Sequence, residues 1–207
     1  MKKILLIGAL AFGFFLQACA GNITTENRVV NASFDEIVSN GATVKILLTQ
    51  GNTEAVSVET EAGWQKDINV EVKDGRLKIS TSKEFKKVNE KKMTRVRCTL
   101  RVTFKNLSLL QVGNMGDVKT TAAITSDKLD VRINGMSDAE LQLNVRDLSV
   151  DVSGMSEAKL RGVAEKLEAE CSGMSDLEAK GLKAEKVKVD ASGMSEAEVY
   201  ASKDISI

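Results

Sequence analysis

The chain has no histidine and no proline, only three cysteines, and few aromatic residues (4% of 207 residues). Histidine is the commonest general base and the commonest transition-metal ligand, so its absence disfavours the usual acid–base and transition-metal chemistry. Few aromatic rings leave few surfaces on which bases or sugars can stack, and a formal net charge of zero provides no basic excess for nucleic acid. The sequence therefore predicts no nucleic-acid partner and no cofactor.

The first 18 residues have the pattern of an export signal. Lys2 and Lys3 precede a mostly apolar run over residues 4–16. As a helix this run spans roughly 20 Å, which is shorter than the ~30 Å core of a bilayer. We therefore expect residues 1–18 to be a removable signal segment rather than a permanent membrane span.

The end of this segment, LQAC, is similar to the lipobox of bacterial lipoproteins, in which the cysteine is lipidated. The resemblance implies that Cys19 carries the lipid and anchors the protein in a membrane. We expect an exported outer-membrane lipoprotein, and its orientation, periplasmic or surface, stays open. Ordinary cleavage after Ala20 is the alternative.

Four copies of a Gly-Met-Ser-acid phrase occupy residues 135–138, 154–157, 173–176 and 193–196, and a fainter copy lies at 112–118. Each unit alternates apolar and polar residues on both sides of the glycine, which is typical of half-buried strands. The pattern predicts an all-β fold: a parallel β-helix, or solenoid, of about 19–20 residues per coil. We expect two strands per coil over residues 113–207, with a short connection between one unit and the next, after a strand-rich part at 19–112. An antiparallel sandwich is the alternative.

Stacking the units in phase gives apolar inward columns and charged outward columns. The outward column Glu140, Lys159, Glu178 and Glu198 begins with alternating charge, which favours pairing between neighbouring strands. The predicted inward columns are Leu129/Leu148/Leu167/Val187, Val131/Val150/Ala169/Val189 and Ile133/Val152/Cys171/Ala191.

The repeated phrase is interpreted as a structural corner. Glycine permits a positive φ, and the serine after methionine can satisfy the polar backbone groups of the turn. We expect the methionines to pack beneath the turn as an apolar column. A Cu(I)-binding thioether column is the alternative, which the lack of an accompanying histidine or cysteine disfavours. The corner residues are Gly135, Met136, Gly154, Met155, Gly173, Met174, Gly193 and Met194.

The acids of the phrase, Asp138, Glu157, Asp176 and Glu196, form a further column. Like charges at strand spacing repel one another, so they are either solvated or bridged by a cation. The spacing does not match calcium-binding G-G-x-G-x-D repeats. We therefore expect a solvated column, with these four acids as weak calcium candidates and no assigned metal site.

The first half contains the pattern of a hairpin at 68–80 and of an alternating strand at 95–104. Residues 83–105 hold nine basic and two acidic side chains, and we expect a solvated loop and strand face there. A docking patch for anionic lipid or polysaccharide is the alternative. In a stack, Cys98 and Cys171 would lie about four coils, roughly 19 Å, apart, so we expect two free, buried thiols.

Three parts of the chain carry a family resemblance: GNITTENRVVNASFDEIVSNGATVKILLTQGN (21–52), VEVKDGRLKIS (70–80) and the Ser-Gly-x-Ser repeats. Together they resemble the "putative auto-transporter adhesin, head GIN domain" family, a domain of unknown function common in Bacteroidetes lipoproteins. The resemblance implies a β-helical exported protein without catalytic residues. This chain has methionine in the turn where the family usually has a small residue.

These observations favour a non-enzymatic, lipid-anchored envelope protein that presents a solenoid surface as an adhesin or envelope-binding protein. Its expected partners are the membrane, through the anchor, and a glycan or an envelope or host protein. One alternative is a polysaccharide-active β-helix enzyme with acidic and basic residues in a groove. The other is a structural or signalling partner of an envelope complex.

Overall fold

A computed structural model of the protein describes residues 22–41, 44–91 and 96–206. The predicted signal segment 1–18 and the predicted lipidation site Cys19 lie outside the described residues, as does the last residue of the 113–207 part. Among the described residues, no helix has the length and apolar content needed to cross a bilayer.

Fourteen strands, one α-helix and one 3-10 helix make up the described chain. The 3-10 helix is Ala62–Asp67 and α1 is Lys83–Lys91. The strands are β1 Ile23–Arg28, β2 Glu36–Ser39, β3 Lys45–Gln50, β4 Ala55–Glu61, β5 Ile68–Lys73, β6 Arg76–Thr81, β7 Cys98–Phe104, β8 Leu109–Val112, β9 Asp117–Thr120, β10 Ile124–Ile133, β11 Asp138–Gly154, β12 Glu157–Gly173, β13 Asp176–Ala191 and β14 Glu196–Ser206.

The strands form a parallel β-solenoid of about five turns, as the repeat predicts. Strands that precede each corner stack in the order β2, β8, β10 and then the second halves of β11, β12 and β13. Strands that follow each corner stack in the order β3, β9 and then the first halves of β11, β12 and β13, with β14 last. One repeat of the sequence therefore corresponds to one coil of the solenoid.

The core lies between these stacked strands, and the predicted inward columns are in the predicted register. Leu129 pairs with Leu148, Leu148 with Leu167, and Leu167 with Val187, and all four are buried. The other two columns pair in the same way. Ala191 is the exception, since it is exposed in β13. It lies in the last rung of its column, beyond the pairing of β13 with β14, which ends at Lys188 and Ser206.

The short connection predicted between one unit and the next is not a loop. β11 and β12 each run for 17 residues without a break, and their parallel pairing continues through the bend. Hydrogen bonds between neighbouring coils keep the backbone of the bend extended. Each coil is therefore one long bent strand between glycine corners.

Antiparallel strands lie at the N-terminal end of the stack. β1 pairs with β4 and β4 with β7, whereas β5 and β6 form the predicted hairpin. Its turn residues Asp74 and Gly75 have φ values of 53° and 75°, and two positive φ values are the mark of a type I′ turn.

The basic segment at 83–105 differs from the predicted loop because its first part is α1. The N–H of Phe85 donates to Ser82 Oγ (3.0 Å), which caps the helix. The Phe85 ring is fully buried and packs edge-on against Trp64, with ring centroids 5.7 Å apart. The second part is a strand as predicted, with Val96, Cys98 and the alternate residues to Phe104 buried.

Candidate functional site: the coil corners and the polar groove

Each corner is built on a glycine column in close backbone contact. Gly135, Gly154, Gly173 and Gly193 have φ values of 82°, 86°, 83° and 80°, as predicted. The N–H of Met155 donates to the Gly135 carbonyl (2.7 Å), and the next coils repeat this bond. A Cβ on Gly154 would lie 2.6 Å from the Gly135 carbonyl oxygen, so a larger residue does not fit. Asn114, with a φ of 68°, takes the glycine position in the fainter copy, which confirms that copy as a corner.

The serine of each phrase points inward and satisfies the turn backbone, as predicted. Ser137, Ser156 and Ser175 are buried. Ser137 Oγ donates to the Asn134 carbonyl (2.8 Å), and Ser175 Oγ donates to the Val152 carbonyl (3.0 Å). The serine therefore takes the inward place at the corner.

The prediction that the methionines pack beneath the turn is wrong. Met136, Met155 and Met174 are 52–53% exposed, and Met194 is 77% exposed. The reason is the alternation of the strand, which puts serine inside and its neighbour outside. Full burial of a methionine is worth about 1.5–3 kcal/mol, so each half-exposed side chain forgoes about 1 kcal/mol. We call Met115, Met136, Met155, Met174 and Met194 the methionine ridge.

The ridge also has a cysteine near its first members, contrary to the sequence argument that none accompanies it. Cys98 lines a cavity of 470 Å³ together with Met115 and Met136. Cys98 and Cys171 are both free and buried. Burial is the main cause that raises the pKa of Cys98 to about 12 and of Cys171 to about 11, so both thiols are protonated at neutral pH.

The four acids of the phrase lie in register, beginning with Asp138 beside Asp117 and Glu157. We call Asp138, Glu157, Asp176 and Glu196 the acidic ladder. Burial, followed by the charges of Glu157 and Asp117, raises the pKa of Asp138. Burial, followed by neighbouring carboxylates, also raises the pKa of Asp176. The ladder therefore carries a concentrated negative potential beside the ridge.

One part of the ladder could hold a cation. Oxygens of Glu157, Asp176 and Glu178 lie within 4.8 Å of one another. Lys159 Nζ already lies 2.7 Å from Glu157 and 3.2 Å from Glu178, so a lysine supplies the positive charge there. Calcium binding by the ladder stays a weak alternative.

The predicted pairing of the outer charged column is present in part: Lys159 lies 3.2 Å from Glu178, whereas Glu140 pairs with side chains other than Lys159. Glu140 lies 2.7 Å from Lys119 and 3.6 Å from Arg161, and the hydrogen bond from Lys119 is the first cause that lowers the Glu140 pKa. These exposed pairs contribute little stability each, but they order the outer face.

A polar groove of 1090 Å³ lies on the bend of the coils, away from the corners. Its exposed side chains come from equivalent positions of successive coils, such as Asn144, Val163 and Lys183. Arg146 lies 3.6 Å from Asp127 and 3.2 Å from Asp147. We call this surface the polar groove and define it by Asp127, Asn144, Arg146, Glu165, Lys183 and Glu185.

A sequence model described as "Putative auto-transporter adhesin, head GIN domain" matches residues 33–207. The chain belongs to this family. A comparison with curated protein sequences gave no match.

Three solved structures share the head GIN fold of this chain. A "putative adhesin" from Bacteroides fragilis has 24% identity and a TM-score of 0.79, over 88% of this chain and 82% of that one. A "Putative lipid binding protein" from Parabacteroides distasonis has 16% identity and a TM-score of 0.66, over 89% and 85%. A "putative adhesin" from the same species has 14% identity and a TM-score of 0.55, over 89% and 96%. At these identities the likeness establishes the fold alone.

Sequence reasoning did not find the polar groove of this head GIN domain. Most of the residues that line it lie at the end of the second strand of a unit and at the short connection to the next, where alternation is less regular. A signal was nevertheless present, because Asp127, Arg146 and Glu165 recur at the repeat period of 19. Charged residues at equal phase in successive coils indicate a common outer surface.

Proposed function

We propose that this protein is a lipid-anchored envelope adhesin that holds an extended polysaccharide in the polar groove and has no catalytic role. The observation that carries the proposal is the groove itself, which is open and continues over successive coils. A polymer lying along the stack would meet a new rung every ~4.8 Å. Membership of an adhesin-like family supports the same class of function.

The chemistry of the groove suits hydrogen bonding to sugar hydroxyls. Asn144 offers an amide, and Lys183 and Arg146 offer N–H donors, all on exposed strand positions. Among the described lining residues there is no aromatic ring, so binding would rest on hydrogen bonds and charge rather than on stacking.

The groove acids favour binding over catalysis. A general acid at neutral pH needs a raised pKa, which burial commonly provides. The Asp127 side chain is 87% exposed and faces Arg146, and Glu185 lies 2.6 Å from Lys203. These acids are at least partly exposed and have a basic partner beside them, which supports a binding role over the polysaccharide-active enzyme alternative.

The groove proposal is tested by affinity electrophoresis of the full chain through gels that contain polygalacturonate, hyaluronan or dextran. The groove variant combines Asn144→Ala with Lys183→Glu. Its matched control combines Ser149→Ala with Lys188→Glu, on the same two strands but outside the groove. We expect the wild type and the control to be retarded by at least one polymer and the groove variant to migrate freely.

Equal migration of the two variants, or no retardation of the wild type, would contradict the groove proposal. Release of new reducing ends or unsaturated sugars from the retained polymer would favour the enzyme alternative. Co-purification of a single envelope protein, without retention on any polymer, would favour the structural or signalling alternative.

The lipid anchor is tested separately at Cys19. We expect Cys19→Ser to abolish incorporation of labelled palmitate and to release the protein from the membrane fraction, because the thiol is the attachment point of the lipid. Palmitate labelling that persists in Cys19→Ser would contradict lipidation at this residue. An unlabelled wild type that is already free of membranes would favour cleavage after Ala20.

A further inference from the structure

The methionine ridge is a regular array of exposed thioethers. Its members stand on successive coils, because the N–H of each of Met136, Met155, Met174 and Met194 donates to the corner residue of the preceding coil at 2.7–2.8 Å. Neighbouring members are therefore about one strand spacing, ~4.8 Å, apart. Met136, Met155, Met174 and Met194 are 52–77% exposed, so their sulfurs lack the packing role that a core methionine has, whereas Met115 is partly buried.

This spacing suits a metal ion held between two sulfurs. A metal–sulfur bond is about 2.3 Å long, so two sulfurs on opposite sides of one ion lie about 4.6 Å apart. That separation nearly equals the distance between adjacent rungs. The methionine side chain has three rotatable bonds, and it can take up the remaining difference without a change in the backbone.

Negative charge flanks the ridge on both sides. On one side is the acidic ladder, two residues after each methionine. On the other side Asp151, Glu170 and Asp190 lie in register, in one column with Arg132 at its N-terminal end. Arg132 Nη2 is 2.5 Å from Asp130, so its charge is already paired. Lys159 neutralises part of the ladder, since it lies 2.7 Å from Glu157, and Lys45 and Arg97 line the cavity beside Met115 and Met136. The seven acids of the two columns outnumber these basic groups, so a cation that approaches the ridge meets a favourable but partly neutralised potential.

The ligand type selects the ion. Thioethers are soft ligands that favour Cu(I), whereas Ca²⁺ and Mg²⁺ take oxygen ligands. We propose that the methionine ridge binds a soft monovalent metal ion, Cu(I), between adjacent thioethers. The carboxylates provide attraction and are not required as ligands. This site is independent of the polar groove, which lies on the bend of the coils.

The ridge is tested by NMR of the full chain labelled with [methyl-¹³C]methionine and titrated with Ag(I), a redox-stable probe for Cu(I). Single Met→Leu variants assign the resonances. We expect the methyl signals of adjacent ridge methionines to shift together and to saturate, and millimolar Ca²⁺ to leave them in place. Ag(I) bound at Cys98 would affect the methyl signals of Met115 and Met136, which line the same cavity. The signals of Met155, Met174 and Met194 therefore report binding at the ridge itself.

Adjacency is tested with two double variants that remove equal numbers of thioethers. Met136→Leu with Met174→Leu leaves no two adjacent members, whereas Met115→Leu with Met194→Leu leaves three in a row. A second tethered ligand typically raises affinity by about a hundredfold or more. We therefore expect the first variant to bind Ag(I) about a hundredfold more weakly than wild type and the second to retain near-native affinity. Anaerobic competition with bicinchoninate should give the same order for Cu(I).

Three results would overturn the proposal: no methyl shift at saturating Ag(I), equal affinities of the two double variants, or displacement of Ag(I) by millimolar Ca²⁺. Glu157→Gln with Asp176→Asn provides the last control. Its methyl shifts should persist with reduced affinity, and their complete loss would place the ion on the carboxylates instead.

Discussion

At the first three Gly-Met-Ser corners the polar serine is buried and the apolar methionine before it is exposed, which is the reverse of what their hydrophobicity suggests. Alternation read backwards from the following strand puts Ala139 inside, Asp138 outside, Ser137 inside and Met136 outside. The structure follows this alternation, because the serine hydroxyl satisfies backbone groups that a thioether cannot. Period-two phase was therefore the better guide at this position, and side-chain polarity led to the wrong prediction.

The glycine column gives a prediction at the same scale. Gly154→Ala should lower the free energy of unfolding by at least about 2 kcal/mol, because a left-handed φ is unfavourable for alanine and its Cβ would meet the Gly135 carbonyl oxygen. Urea denaturation followed by circular dichroism measures the loss. Gly63→Ala is the control, since a Cβ there has no neighbour within 4 Å and should change stability by less than about 1 kcal/mol. Equal stabilities of the two variants would contradict the role of the corner.

At the scale of elements, strands with strong alternation could be predicted together with their register. The register from Leu129 to Val187 follows from six-residue stretches of alternating apolar and polar residues. The hairpin at 68–80 follows from the two-residue Asp-Gly turn. Helix α1 could not be recognised as easily, because most of its nine residues are charged and only Phe85 and Val88 mark an apolar face. Ser82 as a cap and the spacing of Phe85 and Val88 were the available signals.

The long bent strands were missed for a different reason. A sequence shows polar residues at a bend but not the hydrogen bonds that neighbouring coils provide to it. The bend therefore looked like a connection, and the polar groove on it was not predicted. The residues of the candidate site that lie at the corners could be predicted, although the exposure of the methionines was not. The polar groove, which depends on contact between coils, could not be predicted.

At the scale of the whole molecule, the order of strands in the stack differs in one place from the sequence expectation. β3 pairs with both β7 and β9, so it lies between the strand of Cys98 and the coil of Met115. Cys171 precedes the corner that leads into β13, so it lies at the level of the first half of β13 in the stack. The pairings β7–β3, β3–β9, β9–β11, β11–β12 and β12–β13 therefore separate Cys98 from Cys171 by five strand spacings, rather than the four expected from the sequence. At ~4.8 Å each this is roughly 24 Å, beyond the ~7 Å limit for a disulfide.

The parallel stack is the central claim, and cysteine pairing tests it most directly. Val152 lies opposite Cys171 on the neighbouring coil, whereas Val150 is diagonal to it at roughly 8 Å. The full chain is expressed in an oxidising envelope, alkylated in denaturant without reduction, and mapped by mass spectrometry. We predict alkylated Cys98 and Cys171 in the wild type and in Val150→Cys, and a crosslink from the introduced thiol to Cys171 in Val152→Cys. A Cys98–Cys171 crosslink in the wild type, or a crosslink in Val150→Cys but not in Val152→Cys, would contradict the stack.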